Sequence, residues 1–514
     1  MTGQIKLAEV PLGPVPGPSE AVAKARVLLV NTNREGGLWS AFPAGFCAVA
    51  AATSAAGHDV HTLDLRFIRD PAAAFRRALR RADPDVVGFS IRNIDSVSAW
   101  DPVFFLEAIR DELIPACRQA SVPSVIGGPA VGVGGQALVD FLDADWGIAG
   151  EAEEVFPRLV ESLASETPPS ALPGLLRRGA PVPPGWHPAQ LPDLSRMPPP
   201  DPARWVPARR YWRAGTTYPL LTRRGCSFGC VYCSYTRIEG SACRFRSPDA
   251  VVGEMRAMVG KGVRRFEIVD SVFGLPESHA LAVCDAIRDA NLPVRLDVSA
   301  LHPLAVTPRL LDSLEAAGVR SVLCTPDTFS RAGLDGLAKG FGIDVVARTV
   351  RLLAARRFDV CWFLVLGAPG ETAESILESL RFVEREIPPH HVVLANIGLR
   401  IYPGTPLAEL CRTRGLIGPD DALIRPRTFL EPSLDAATLR AAVEATAARC
   451  PNLVFMGEEP RGPLRQALIA LTLRCIAGRR PAWAALPAFL RVVSRIRPRD
   501  PLPALASPSL SMNS

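Results

Sequence analysis

The stretch Arg223-Arg224-Gly225-Cys226-Ser227-Phe228-Gly229-Cys230-Val231-Tyr232-Cys233-Ser234-Tyr235 places three thiols in one short loop. A structural zinc ion or a closed iron–sulfur cluster takes four protein ligands. Three cysteines spaced C-x3-C-x2-C therefore predict a [4Fe-4S] cluster with one iron left open for a substrate or cofactor. Two other interpretations stay open: a zinc site completed by Cys243 or a histidine, and a chance grouping in a chain of twelve cysteines.

The composition is that of a globular protein with more than one domain. The chain has 514 residues, of which 48% are hydrophobic and 21% charged, enough for two or three separate cores. The cysteines are scattered rather than densely paired, which predicts a reducing, cytoplasmic location. Residues 1–20 lack the basic start and apolar core of a signal peptide. The net charge is a mild +6 and arginines are not interleaved with aromatic residues, so we expect no nucleic-acid partner.

Proline content and hydrophobic pattern divide the chain into five parts. A stretch crowded with Pro, Gly and Arg predicts a surface linker between two α/β units. After about Gly415 the strand-like runs give way to helical patterning. The predicted parts are a tail (1–24), a first α/β unit (25–165), the linker (166–215), a second α/β unit (216–415) and a helical extension (416–514).

Short buried strands alternate with helices in the first unit. The pattern predicts a doubly wound parallel sheet, whose ligands bind at the carboxyl ends of the strands. Glycines fall at those ends, in Gly127-Gly128 and Gly150-Glu151-Ala152-Glu153, where they allow close approach of a large ligand. The predicted strands are Arg26–Asn31, His58–Leu65, Asp85–Ser90, Ser124–Gly128 and Trp146–Gly150.

The second unit repeats the alternation and predicts about six strands. They are Leu220–Thr222, Arg265–Asp270, Val294–Val298, Ser321–Thr325, Val360–Gly367 and Val392–Asn396. Polar or glycine-rich segments follow three of them: Asp270-Ser271-Val272-Phe273, Leu366-Gly367-Ala368-Pro369-Gly370-Glu371-Thr372 and Arg400-Ile401-Tyr402-Pro403-Gly404-Thr405-Pro406. The chemistry of such barrels lies at the carboxyl ends of the strands, which is where these segments fall.

The cysteine loop, with an aromatic residue before its last cysteine, resembles the signature of the radical S-adenosylmethionine (SAM) superfamily. The strand and glycine pattern of residues 25–165 is similar to the cobalamin-binding domain of the B12-dependent class of that superfamily. The resemblance covers roughly residues 25–410. It implies a Rossmann-like cobalamin-binding domain, a partial (β/α)6 radical SAM barrel and a helical C-terminal extension.

The resemblance also implies the cofactors and their ligands: a [4Fe-4S] cluster on Cys226, Cys230 and Cys233, together with SAM and cobalamin. Cobalamin would contact Ser90, Gly127, Gly128, Gly150 and Glu151, and SAM would contact Tyr232, Thr325, Asp327 and Gly367. Asp327 has an alternative role as the cap of the next turn, and Tyr402 faces the shared cavity or packs at the barrel mouth. The first loop, Asn31 to Gly37, has no histidine for cobalt, which implies cobalamin bound without a protein imidazole.

The function implied is methylation of an unactivated carbon in a natural-product or lipid-like substrate. SAM would methylate cobalamin, and a second SAM would be cleaved to a 5'-deoxyadenosyl radical that activates the substrate. A flavodoxin- or ferredoxin-type protein would supply the electron. Two alternatives stay open: a radical SAM cyclase or rearrangement enzyme with no methyl product, and a corrinoid or iron–sulfur sensor without turnover.

Two basic, apolar helices are predicted near the C-terminus, over Leu464–Ile476 and Trp483–Ile496. The second carries Arg491 and Arg495, and Arg497 follows it. Such helices either make a peripheral membrane contact or cover the barrel.

Overall fold

The computed structural model describes residues 24–35, 41–100, 102–169, 172–197, 201–456, 463–478 and 480–490. The predicted tail up to residue 23, and the part of the last predicted helix with Arg491 and Arg495, lie outside these residues, as does Arg497. No helix in the described part of the chain is long and apolar enough to cross a bilayer.

The first domain is a six-stranded sheet with helices on both faces. Its elements are β1 (Arg26–Asn31), α1 (Ala44–Ala55), β2 (Asp59–Asp64), α2 (Pro71–Ala82), β3 (Val86–Ser90), α3 (Ile114–Gln119), β4 (Ser124–Gly127), α4 (Pro129–Leu142), β5 (Trp146–Ile148), α5 (Val155–Ala164) and β6 (Leu175–Arg177). The strand order is β2-β1-β3-β4-β5-β6, with β1 to β5 parallel. This order reverses direction between β1 and β3, where such sheets bind their ligands.

The elements begin where the sequence offers caps. In α2, Asp70 accepts a hydrogen bond from the Ala73 backbone N–H at 2.9 Å, and Pro71 occupies the first turn, where its missing N–H costs nothing. Phe75 and Leu79 lie one turn apart on the buried face of this helix. Local sequence and burial therefore agree on the same helix.

The proline-rich segment is an integral part of the first domain rather than a free spacer. Its strand β6 pairs antiparallel with β5 and is absent from the strands predicted above. Three residues without a period-2 pattern, beside many prolines, give too weak a strand signal. The segment also contains the short helices α6 (Pro202–Trp205) and α7 (Ala208–Arg213). Tyr211 of α7 donates a hydrogen bond to Asp64 at 2.9 Å, which ties the segment to the end of β2.

The second domain is an open barrel of seven parallel strands. It contains β7 (Tyr218–Leu220), β8 (Arg223–Arg224), α8 (Tyr235–Ile238), β9 (Arg244–Phe245), α9 (Pro248–Gly260), β10 (Arg265–Ile268), α10 (Glu277–Ala290), β11 (Arg295–Leu301), α11 (Pro308–Ala316), β12 (Val319–Asp327), α12 (Arg331–Gly336), α13 (Ile343–Ala354), β13 (Asp359–Leu366), α14 (Ala373–Glu386), β14 (Val392–Ile397), β15 (Leu399–Arg400), α15 (Pro406–Thr413), β16 (Thr428–Phe429), α16 (Ala436–Arg449) and β17 (Leu453–Phe455). Seven of these strands form the parallel sheet, in the order β17-β14-β13-β12-β11-β10-β7. The other four form two short antiparallel pairs, β8 with β9 and β15 with β16. Six strands are those predicted, and β17 extends the sheet from the region predicted to be helical.

Helix α17 (Pro463–Ala477) covers the barrel sheet. Its Leu473 is fully buried in a cluster with Trp483, beside Cys361 of β13 and Leu394 of β14. The opposite face of α17 is exposed, with Leu468 and Leu471 at 64% and 56%. One side of the predicted amphipathic helix therefore packs on the protein.

Candidate functional site

A single cavity of about 1080 Å³ lies between the two domains and extends into the barrel. The first domain contributes the carboxyl ends of β1, β3, β4 and β5, and the second contributes the loop between β8 and α8. Both are the ends at which parallel α/β folds place their ligands. The fold thus directs two separate ligand-binding edges into one space.

The cysteine loop is held in place by its own backbone and by neighbouring loops. The Gly225 N–H donates to the Glu239 carboxylate at 2.9 Å, and the Cys226 N–H donates to the Gly240 carbonyl at 3.1 Å. On the other side, the Val231 N–H donates to the Leu337 carbonyl at 3.1 Å. These bonds fix the loop so that Cys226, Cys230 and Cys233 all line the cavity.

The donor set fits a [4Fe-4S] cluster better than a single metal ion. Within the described residues, no group of three or more His, Cys, Asp or Glu side chains is arranged to hold one ion. A cubane takes each cysteine on a different iron, so it holds the sulfurs further apart than one ion would. Cys243, the fourth ligand in the zinc interpretation, is absent from the cavity lining and instead accepts a hydrogen bond from Arg223 at 2.8 Å.

The three cysteines are expected to become thiolates only when a metal binds. Burial raises the pKa of Cys233 to about 11, and it also raises the pKa of Cys226 and Cys230. All three would therefore be protonated near neutral pH in the cofactor-free chain. Binding of a cationic cluster favours the thiolate form.

Tyr232 and Asp327, both expected to contact SAM, are bonded to each other. The Tyr232 hydroxyl donates to the Asp327 carboxylate, and Lys339 pairs with the same carboxylate at 2.7 Å. The Lys339 and Asp327 side chains are 4% and 8% exposed. Asp327 thus links the cysteine loop to the end of β12. Thr325, two residues earlier on the same strand, lines the cavity.

Sequence reasoning missed Lys339, although a signal was present. It is one of four lysines in a chain of 58 basic residues, and it follows helix α12 in a glycine-containing loop. Because arginine is by far the more common basic residue in this chain, a lysine here indicates a need for a compact charge. Lys339 lines the cavity beside the cysteines.

Gly367 does not reach the cavity. A side chain at this position would collide with Leu430, so the space beside the glycine is already filled by protein. Its backbone N–H donates to Glu371 at 2.8 Å, as does that of Ala368 at 2.9 Å. The glycine therefore forms part of the turn after β13.

Tyr402, by contrast, lines the cavity, with the Arg400 guanidinium 5.1 Å from its ring centroid.

On the cobalamin side, Ser90, Gly127 and Gly128 all line the cavity. A Cβ on Gly127 would have its nearest neighbour, the Ile148 carbonyl oxygen, at 4.0 Å. A Cβ on Gly128 would lie 2.6 Å from the Ile91 carbonyl oxygen, and Gly128 has φ 95° and ψ 177°. Gly127 therefore leaves room for a ligand, whereas Gly128 is required by the backbone turn.

Gly150 and Glu151 line the cavity but are already committed to protein contacts. Gly150 pairs with the backbone of Ala189, and a side chain there would collide with it. Glu151 accepts from Arg244 at 2.6 and 2.8 Å and lies 3.3 Å from Arg224. The carboxylate therefore binds the second domain, which the sequence analysis did not anticipate.

The two domains are joined by two groups of buried ion pairs. We call the first group the Glu151 network: Glu151, Glu153, Arg224 and Arg244. Arg224 pairs with Glu153 at 3.0 Å, and all four side chains are between 6% and 15% exposed. The second link is Asp95–Arg400 at 2.8 Å, with exposures of 1% and 2%. These pairs fix the cysteine loop relative to the glycine-rich edge.

The two neighbouring glycines give a matched pair of variants. Gly128→Ala is expected to destabilise the cofactor-free protein by about 1–3 kcal/mol or more, because its backbone conformation is nearly restricted to glycine. Gly127→Ala should leave the unfolding midpoint close to that of the wild type but weaken hydroxocobalamin binding, because the methyl group enters the cavity. Urea unfolding and equilibrium dialysis measure the two effects. Equal loss of stability in both variants would contradict this assignment.

Family models match both domains. Residues 40–160 match the B12 binding domain, and residues 220–383 match the radical SAM superfamily. The chain is 27% identical over 431 residues to a tryptophan 2-C-methyltransferase of Streptomyces laurentii, with 71% of each chain covered. It is also 27% identical over 251 residues to a hopanoid C-3 methylase of Methylococcus capsulatus, covering 48% of this chain and 45% of that one.

Solved structures share the fold. The radical SAM methyltransferase TsrM from Kitasatospora setae, with cobalamin and a [4Fe-4S] cluster bound, superposes with a TM-score of 0.78 at 23% identity, over 92% of this chain and 99% of that one. The cobalamin-dependent radical SAM enzyme OxsB gives a TM-score of 0.64 at 14% identity, over 92% and 76%. At these identities the likeness concerns the fold. With both family models matched in the same order as the two domains, the chain belongs to the B12-binding class of radical SAM enzymes.

Proposed function

We propose that this enzyme methylates an unactivated carbon of a natural-product or lipid-like substrate, with a [4Fe-4S] cluster, SAM and cobalamin as cofactors. One observation carries the proposal: the three-cysteine loop and the glycine-bearing edge of the B12 binding domain line the same cavity. Transfer of a methyl group from cobalamin needs both cofactors next to one substrate. Relatives named for methylation of tryptophan and of hopanoids support both substrate classes.

Different residues would hold the two metal-containing cofactors. Cys226, Cys230 and Cys233 would hold the cluster, and Ser90 and Gly127 would contact the corrinoid. When bound, the cluster and SAM supply the radical that removes a hydrogen atom, and cobalamin carries the methyl group.

The polar groups around the cysteine loop mainly hold it in place. Tyr232, Asp327 and Lys339 fix the loop, and Thr325 offers a hydroxyl to SAM in the cavity beside them. Gly128, Gly150 and Glu151 shape the edge that would face cobalamin and join it to the second domain, and Tyr402 lines the shared cavity. The protein's task is to align these groups and to exclude water.

Two further partners are proposed, an electron donor and a membrane surface. A flavodoxin- or ferredoxin-type protein would deliver the electron in the cytoplasm. The exposed face of α17, with Leu468, Leu471 and Ile476, is the surface we assign to a peripheral membrane contact.

A product analysis separates the proposed function from its alternatives. The reconstituted enzyme would be given SAM and a low-potential reductant without oxygen, first with L-tryptophan as acceptor and then with other candidates. S-adenosylhomocysteine formed together with 5'-deoxyadenosine, dependent on added cobalamin, supports methyl transfer. 5'-Deoxyadenosine alone favours a cyclase or rearrangement enzyme. Neither product, with both cofactors bound, favours a sensor.

A further inference from the structure

The cavity continues into the barrel, where its lining is charged. Arg265 and Glu267 of β10 and Asp297 of β11 face it, with the hydroxyls of Ser299 and Ser321. Their neighbours Phe266, Ile268 and Val298 are fully buried on the outer, helix-covered side. Barrel interiors are usually filled with branched apolar side chains, so an open polar interior indicates a ligand.

The C-terminal segment closes the amino-terminal end of this space. Arg474, at the end of α17, lines the cavity with Gly478 and Trp483. Its Nη1 donates to the Arg213 carbonyl at 2.9 Å. The following Arg480 pairs with Asp359 at the start of β13 at 2.7 Å, which anchors the segment to the barrel.

Arg265 and Arg474 place two positive charges at this amino-terminal end of the cavity. In the part of the chain that the structure describes, neither guanidinium forms a salt bridge, and Nε of Arg265 is buried without a hydrogen-bond partner. Arg474 lies against Gly215, just before β7, and β7 pairs with β10 so that Tyr218 is opposite Phe266. Both guanidinium groups therefore lie at the same end of these two strands, and burial together with the charge of Arg265 lowers the pKa of Arg474.

The nearest carboxylates are occupied by other partners. Glu267 accepts hydrogen bonds from Thr217 at 2.6 Å and from Ser299. Asp297 accepts from Ser321 at 2.7 Å and from Arg295 at 3.3 Å. Their charges offset part of the charge of Arg265, but no carboxylate among the described residues pairs with Arg474. A second cation beside Arg265 is unfavourable in a partly buried site unless a ligand supplies an anion.

We propose that Arg265 and Arg474 form an anion subsite at the amino-terminal end of the barrel, which binds a carboxylate or phosphate group of the substrate. Guanidinium groups match the oxygen geometry of both anions. The inference rests on the proposed function only in assigning the anion to the substrate. Arg265 precedes Asp270 by five residues, so the subsite lies roughly 15 Å below the edge with the cysteine loop. The substrate is therefore an elongated molecule with an acidic group at one end.

Isothermal titration of the cofactor-loaded enzyme with inorganic phosphate, and separately with propionate, tests the subsite. Wild type should bind one or both, and Arg265→Gln and Arg474→Gln should each weaken binding roughly tenfold or more. Arg288→Gln, which alters an exposed arginine on α10, is the matched control and should bind as wild type does. Binding of phosphate alone identifies a phosphate ester, and binding of propionate identifies a carboxylate.

Failure of the subsite and failure of the proposed function give different results. No anion binding by the wild type, or equal binding by all variants, would overturn the subsite. Variants that fold poorly are recognised by their unfolding midpoints, and relief of charge repulsion predicts midpoints at or above that of the wild type. If anions bind as expected but neither SAM product forms, the subsite stands and the methyltransferase proposal fails.

Discussion

Cys230→Ala is expected to abolish cluster binding and, with it, all formation of 5'-deoxyadenosine. The variant leaves two thiols for a cluster that needs three, and no other cysteine is among the residues that line the cavity. Cys226→Ala and Cys233→Ala should behave in the same way. Iron and sulfide analysis after anaerobic reconstitution should give about four irons per chain for wild type and close to none for the variants.

Two further cysteines serve as controls. Cys475 is exposed on α17, so Cys475→Ala should keep full iron content. Cys243→Ala separates the cluster from a zinc site, because Cys243 was the candidate fourth ligand. Iron retained in Cys243→Ala supports the cluster. Tightly bound zinc in the wild type that is lost in Cys243→Ala would support the zinc interpretation.

The second large effect is expected at the domain interface. Glu151→Gln keeps the shape of the side chain but removes the charge that Arg244 and Arg224 share. Breaking a buried ion pair from one side typically costs about 3–5 kcal/mol, because the remaining charge stays buried. Denaturant unfolding of the cofactor-free protein should show this loss in its first transition. Binding of hydroxocobalamin should weaken as well, because the edge that faces it is no longer fixed.

Glu384→Gln is the matched control for this variant. Glu384 pairs with Arg449 at 2.5 Å, but their side chains are 26% and 62% exposed. A surface pair of this kind contributes about 0–1 kcal/mol, so the control should unfold almost as the wild type does. Similar losses for both variants would mean that the Glu151 network does not join the domains as described.

Local signals explain what could be predicted from the sequence. The cysteine loop is contiguous, and strands such as Arg26–Asn31 are buried runs bounded by clear helix signals. Family resemblance then placed the two domains in order. Strands β6 and β17 could not be predicted, because each has only three residues and so shows no measurable periodicity. Their pairing also depends on neighbours that are distant in the chain.

The candidate site was predicted less completely, because its geometry depends on tertiary contacts. Glycines mark both room for a ligand and close packing of the backbone, so Gly127 and Gly367 look alike in sequence although Leu430 covers only the latter. Glu151 looks like a ligand-binding residue until Arg244, 93 residues away, is brought beside it. The interdomain ion pairs emerge only from the folded structure.

The proposed methyl transfer requires that one cavity hold both the cluster and cobalamin. Electron paramagnetic resonance on a sample with the reduced cluster and cob(II)alamin tests it directly, because two unpaired spins in one cavity broaden each other's signals and relax faster. We expect such coupling in the wild type, with both metals confirmed by metal analysis. Two signals identical to those of samples that contain only one of the cofactors would contradict it.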